Sequence, residues 1–266
     1  MTTDTATSDH YIGIDIGGTG IKGGVVHLNA AQIQGNTLRL PTPRPATPHD
    51  IGDVVAQLVD ELESQHDQPV QSSIGITFPG IVQHGISRSA ANVDSAFINL
   101  DIQAFFTERL RQPVTVINDA DAAGLAEVQF GAGQGLRGTV LVITLGTGIG
   151  SALVFNGGLI PNAELGHLSL DGLSAEVQAS AVARERDGLS WEEYSARLQR
   201  YFSKLEFIFS PELIIIGGGI SARTADYLPH LKLRTPITPA ILRNDAGIIG
   251  AAMQAATSLQ QLLPLP

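Results

Sequence analysis

The sequence predicts an α/β protein of two lobes. Three observations carry that prediction. Short β-branched runs alternate with amphipathic helical stretches along the whole chain. Each half opens on a strand, a glycine turn and a second strand. The 266 residues suffice for two modest lobes, each with its own core.

The elements follow in order. Tyr11–Val26 reads as a hairpin, with Ile12, Ile14 and Ile16 on one face and glycines in the turn. A strand near Gln32–Leu40 precedes a loop with four prolines, Pro41–Asp50. Asp50 is expected to cap a helix with Ile51, Val54, Val55, Leu58, Val59 and Leu62 at helical spacing. Val70–Phe78 reads as a strand, Gln83–Leu100 as irregular, Ile102–Arg111 as a helix and Val114–Asn118 as a short buried strand. Asp119–Phe130 is a helix starting at that strand's end. The second half repeats the order: strands Thr139–Leu145 and Ser151–Asn156, a connection over Pro161–Asp171, then helices near Ala175–Arg186 and Ser190–Ile208. Strand Glu212–Ile216 runs into Gly217–Gly219, which is expected to open a helix. Pro236–Leu242 leads to a last helix from Ala246. The expected lobes are 10–118 plus 246–262, the smaller, and 119–245, the larger, with residues 1–9 a disordered tail.

Composition excludes several classes. Hydrophobic residues make up 43% and charged residues 16%, which excludes disorder and charged coiled coils. No apolar run is long enough to span a membrane, and MTTDTATSDH is no secretory signal. The absence of cysteine removes disulfides, thiol catalysis and cysteine-held zinc. A cytoplasmic protein is expected. The net charge of −10 argues against nucleic-acid and anionic-membrane partners. Residues 184–243 nevertheless hold nine of the sixteen basic residues. Arg197, Arg200 and Lys204 share one helical face there, with Glu193 placed for an ordinary ion pair to Arg197.

Five motifs suggest chemistry. In Asp15-Ile-Gly17-Gly18-Thr19-Gly20, glycine backbone lets N–H groups face an anion, and Thr19 adds a hydroxyl. Asp15 suits Mg²⁺ held through water, and Lys22 supplies a cation. Gly146-Thr147-Gly148 repeats the turn in the second half. Gly217-Gly218-Gly219 suits close approach to a nucleotide or phosphate, or serves helix packing. Asn118-Asp119 stands where strand becomes helix, where a carboxylate either caps the helix or accepts a hydroxyl proton. Glu164, His167 and Glu176 form a set suited to sugar hydroxyls, although a surface Glu and a core His read the same way.

Taken in order, these residues resemble the sugar kinases of the ROK family, within the group sharing the actin and hexokinase (ribonuclease H-like) fold. The resemblance runs from about Tyr11 to Ala256 and implies an active-site cleft between the lobes. It implies donor phosphates at Asp15–Lys22 and at Gly146–Gly148, with Asp119 as catalytic base. Asn92, Asn118, Asp119, Glu164, His167 and Glu176 would contact sugar. One departure stands out: HLSLDGLSAEV follows the E-x-G-H motif, where the family carries a cysteine-rich zinc segment. No zinc site is therefore expected.

PNAELGHLSLDG, ARERDGLSWEEYSARLQRYFSKLEFIFSPELIIIGGGIS and LPHLKLRTPITPAILRNDAGIIGAA narrow the resemblance. They are similar to the polyphosphate-dependent glucokinases of actinobacteria, the polyphosphate/ATP glucomannokinase form included. That implies Mg²⁺-dependent transfer from inorganic polyphosphate, and ATP, to the 6-hydroxyl of glucose, with mannose as a second acceptor and a homodimer as an assembly state. The basic segment Arg184–Arg243 is one expected source of cations for a polyphosphate chain. The competing readings are an ATP-only kinase for another hexose or amino sugar, and a non-catalytic sugar-binding regulator. A DNA-binding regulator would need a helix-turn-helix ahead of Asp15, and only fourteen residues precede it.

Overall fold

The computed structural model describes residues 9–66 and 69–262. The tail expected over residues 1–9 lies outside the described residues but for Asp9. The chain forms two compact units: one runs to Ala122 and resumes at Gly247, the other is Ala123–Ala246. The first boundary falls inside a helix rather than at its start, and the first unit is the longer in sequence.

The first unit holds β1 (His10–Ile16), β2 (Gly20–His27), β3 (Gln32–Pro41), α1 (Pro48–Gln65), β4 (Ile74–Phe78), a small hairpin of β5 (Val82–Gln83) and β6 (Ile86–Ser87), α2 (Ile102–Leu110) and β7 (Val114–Asn118). Helix α3 (Asp119–Phe130) leads into the second unit, with β8 (Thr139–Leu145), β9 (Ile149–Phe155), β10 (Gly158–Ile160), a second small hairpin of β11 (Ser169–Leu170) and β12 (Leu173–Ser174), α4 (Ala175–Ala179), α5 (Ala181–Arg186), α6 (Trp191–Phe209), β13 (Leu213–Gly217), α7 (Thr224–Tyr227) and β14 (Ile237–Pro239). Helix α8 (Ala246–Leu262) returns to the first unit.

The two main sheets repeat one plan. Their orders are β3-β2-β1-β4-β7 and β10-β9-β8-β13-β14. In each, only the second strand of the opening hairpin runs against the other four. Strands β4, β7 and β13 are buried at every residue. They therefore read as continuous apolar runs rather than alternating ones.

Helix α1 buries Ile51, Val55, Leu58, Val59 and Leu62 of the expected stripe, while Val54 is only half-buried. Its cap, however, is Thr47 and not Asp50. Thr47 Oγ1 accepts from the Asp50 N–H (3.2 Å), and Pro48 takes the first turn, where no donor is needed. Helix α6 has a capping box: Ser190 Oγ accepts from Glu193 N–H (3.2 Å), and Glu193 reaches back to Ser190 N–H (2.9 Å). The helix expected over 175–186 breaks at Ser180, whose Oγ accepts from Ala183 N–H (3.1 Å) and starts α5. Strand β4 begins at Ile74 rather than Val70, and Gly219–Arg223 forms a 3₁₀ turn before α7.

Helix α8 lies close enough to the first sheet that a side chain on Gly75 would meet Ala251 O at 1.8 Å. Its Ala- and Gly-rich sequence provides the thin face such an approach requires. No helix among the described residues is long and apolar enough to cross a membrane.

Candidate active site

The expected site residues of the first unit gather at the C-terminal ends of its parallel strands, the usual ligand end of an α/β sheet. Asp15, on β1, pairs laterally with Thr77 on β4, and Thr77 with Ile117 on β7, one residue before Asn118. Thr77 Oγ1 donates to Asp15 Oδ1 (2.8 Å) and accepts from Ile16 N–H (3.2 Å). Lys22 Nζ lies 3.3 Å from Asp15 Oδ2. The carboxylate is thus fixed from two sides while its side chain stays 19% exposed. A single, partly exposed, oriented carboxylate fits a magnesium ion that keeps most of its own waters.

The β1–β2 turn is closed by Gly17 N–H to Gly20 O (3.1 Å). Its carbonyls are taken by side chains that sequence reasoning did not single out. Thr42 Oγ1 donates to Gly17 O (2.5 Å), Arg44 Nη2 to Gly18 O (2.8 Å) and Arg39 Nη2 to Thr19 O (3.4 Å). With the carbonyls held this way, the N–H groups of Gly18 and Thr19 donate to nothing among the described residues. Asn92, with a left-handed backbone (φ 62°), backs the turn: a Cβ on Gly18 would lie 2.8 Å from Asn92 Cβ.

Asn118 rather than Asp119 makes the cap at α3. Its Oδ1 accepts from Asp121 N–H (3.0 Å) and its Nδ2 donates to Gly80 O (3.0 Å). Asp119 is the first helical residue, and its Oδ1 accepts from Ala120 N–H (2.8 Å). The capping duty that would explain an aspartate there falls to its neighbour.

The second unit builds its turn at the equivalent strand end. Gly146 N–H closes it onto Gly148 O (3.0 Å), and Gly146 O accepts from Val182 N–H of α5 (3.2 Å). Gly217, ending β13, pairs with Thr144 of β8, so both glycine motifs meet at one end of this sheet. Within that motif Gly218 is committed to packing: at φ 79°, a side chain there would meet Leu145 O at 2.4 Å. Gly219 has no neighbour within 4 Å of such a side chain and is the member open to a ligand.

Glu164, His167 and Glu176 come together here as expected. His167 Nδ1 lies 3.5 Å from Glu176 Oε1, and His167 Nε2 lies 4.0 Å from Glu164 Oε2. Burial pushes the Glu164 carboxyl above its usual range; His167 opposes that shift and Glu176 adds to it. Glu176 also abuts the turn, its Oε2 lying 2.6 Å from where a Cβ on Gly148 would stand.

The basic residues of 184–243 are mostly spent within the second unit. Arg186 and Arg197 both hold Asp187 (2.7 and 2.6 Å), and their hydrogen bonds keep its carboxyl far below the usual range. Arg200 pairs with Asp171, Arg223 with Asp226 (2.5 Å) and Arg234 with Glu206 (3.5 Å). Arg184 lies over the Trp191 ring, 3.7 Å from its centroid. The expected Glu193–Arg197 pair does not form, because Glu193 is the capping-box residue of α6 and Arg197 turns to Asp187.

The chain is similar to known proteins over most of its length. The ROK family model matches residues 11–183. The polyphosphate glucokinase of Mycobacterium tuberculosis is 43% identical over 95% of this chain and 93% of its own length. The crystal structure of an inorganic polyphosphate/ATP-glucomannokinase from Arthrobacter sp. strain KM superposes with a TM-score of 0.89 at 62% identity, covering 94% of this chain and 99% of that one. A ROK family glucokinase from Streptomyces griseus, solved with glucose and AMPPNP, matches with a TM-score of 0.80 at 26% identity, over 93% and 99% of the two chains. The chain belongs to the ROK family.

Proposed function

We propose that the protein is a kinase that transfers a phosphoryl group from inorganic polyphosphate, and from ATP, to the 6-hydroxyl of glucose, with mannose as a second acceptor. The observation that carries this reading is the end of the first sheet. There an oriented carboxylate, a glycine turn with two N–H groups uncommitted among the described residues and a second carboxylate at the β7–α3 junction are built by adjacent strands. The similarity to polyphosphate- and ATP-using relatives supports the choice of donor.

Phosphoryl transfer needs orientation and charge stabilisation more than covalent chemistry. The N–H groups of Gly18 and Thr19, the Thr19 hydroxyl and Lys22 bind donor phosphates; in the second unit Gly146–Gly148 and Gly219 are the residues suited to phosphate. Asp15, held by Thr77, is the residue to hold magnesium through water. When bound, that ion neutralises charge on the donor oxygens. Glu164, His167, Glu176 and Asn92 orient the sugar through its hydroxyls. Asn118 contributes mainly by capping α3, which fixes Asp119. Asp119 accepts the proton of the attacking hydroxyl as the new phosphorus–oxygen bond forms.

Substitution Asp119→Asn keeps the shape and removes the base. Turnover is expected to fall by about a thousandfold or more, while glucose binding, read by calorimetry, persists. Near-normal turnover in that variant overturns the assignment of Asp119.

A further inference from the structure

Charge is distributed oddly around the turn of the first unit. Asp15, Lys22 and Arg39 stand directly opposite one another on β1, β2 and β3. Lys22 meets Asp15, but its partner on the other side is a second cation. Like charges directly opposite each other destabilise a sheet, and one carboxylate does not neutralise two cations. Arg44, a few residues on, adds a third cation by holding Gly18 O. Among the described residues neither Arg39 nor Arg44 meets a carboxylate. Both are exposed, and each is anchored through one N–H to a carbonyl of the same turn. Since a guanidinium carries five N–H donors, most of each fork is left for another acceptor. Six of the seven arginines of 184–243 offer less of a surplus, because carboxylates or the Trp191 ring already engage them; Arg243 is the exception.

We propose that Arg39 and Arg44 bind the part of an inorganic polyphosphate chain that extends beyond the phosphoryl groups held at the turn. They thereby set the preference for a chain donor over a nucleoside triphosphate. The inference rests on the donor reading above and names where the rest of that donor is held. Chemistry favours the assignment: interior phosphates carry charge all along the chain and no base to bury, and guanidinium forks match phosphate oxygens in pairs. The two anchors to Gly18 O and Thr19 O keep the forks beside the turn, so a chain leaving it meets them next.

The test uses the single variants Arg39→Gln and Arg44→Gln, their combination, and Arg44→Lys. KM for long-chain polyphosphate and for ATP is measured at saturating glucose, and the polyphosphate-induced rise in Tm gives a readout that needs no turnover. The ratio of KM for polyphosphate to KM for ATP is expected to rise about tenfold for each arginine removed. The Tm rise should shrink in parallel, and Arg44→Lys should recover part of the loss. A ratio that stays within about twofold of the parent, or two KM values that climb together, overturns the proposal. The second result would mean that the arginines only support the turn. A parent enzyme that uses ATP but not polyphosphate refutes the donor reading itself, and that is seen before any variant is made.

Discussion

The turn at Gly17–Gly20 and the turn at Gly146–Gly148 stand at the same place in the same strand order, yet they are held by different means. In the first unit side chains from β3 and the loop after it take the turn carbonyls: Thr42, Arg44 and Arg39. In the second unit the Val182 N–H does that work, and the nearby side chains are two carboxylates and an imidazole. One backbone plan has thus been given a cationic surround once and an acidic one once. The strand order explains why there are glycine turns, and the side chains explain what each can bind. On the proposed reading, phosphate chemistry concentrates around the first turn. The set able to grip hydroxyl groups stands beside the second.

A second parallel runs through both turns. Each is backed by a residue expected to contact sugar, Asn92 behind Gly18 and Glu176 behind Gly148. On the proposed reading, donor and acceptor recognition are mechanically adjacent in each unit. The backing differs in stiffness, and that difference can be tested. At Gly18 an added Cβ would press on Asn92 Cβ, which moves only with its own backbone. Gly18→Ala is expected to lower kcat/KM by about a hundredfold, the usual cost of displacing a reacting group by an ångström. At Gly148 the added Cβ would meet only the far end of the Glu176 side chain, which can swing aside. Gly148→Ala is expected to raise KM for glucose by no more than about tenfold, with kcat little changed. Steady-state kinetics on the two alanine variants decides the matter. A larger loss at Gly148 than at Gly18 would break the comparison.

Much of this was legible in the sequence, and the failures share a cause. Strand Val114–Asn118 and helix Asp119–Phe130 are observed at the bounds their pattern predicts. A five-residue buried run followed at once by acidic residues and alanines leaves little ambiguity. The turn glycines and the Glu164–His167–Glu176 set were also visible, because their spacing is local. The cap of α1 was misplaced although Thr-Pro-His-Asp carries the signal: proline favours the first helical position, which makes the residue before it the cap. Thr77 was missed because its importance lies in lateral pairing with Asp15, 62 residues away. Arg39 was recoverable by counting register outward from Asp15 through Lys22, once three strands are granted. Arg44 was hidden in a proline-rich loop whose path no periodicity reveals. The basic segment misled for a related reason. Composition counts cations but does not count partners, and Asp171 and Asp187 lie outside the helix whose arginines they hold.

The central claim is that the cation-braced turn of the first unit serves a phosphate donor and that the acceptor is glucose. The most direct measurement is formation of glucose 6-phosphate by the purified protein with glucose and Mg²⁺, supplied either with nucleotide-free polyphosphate or with ATP. The account predicts turnover with polyphosphate alone and with ATP. Product from ATP only would contradict the donor assignment, and no product from either donor would contradict the kinase reading itself.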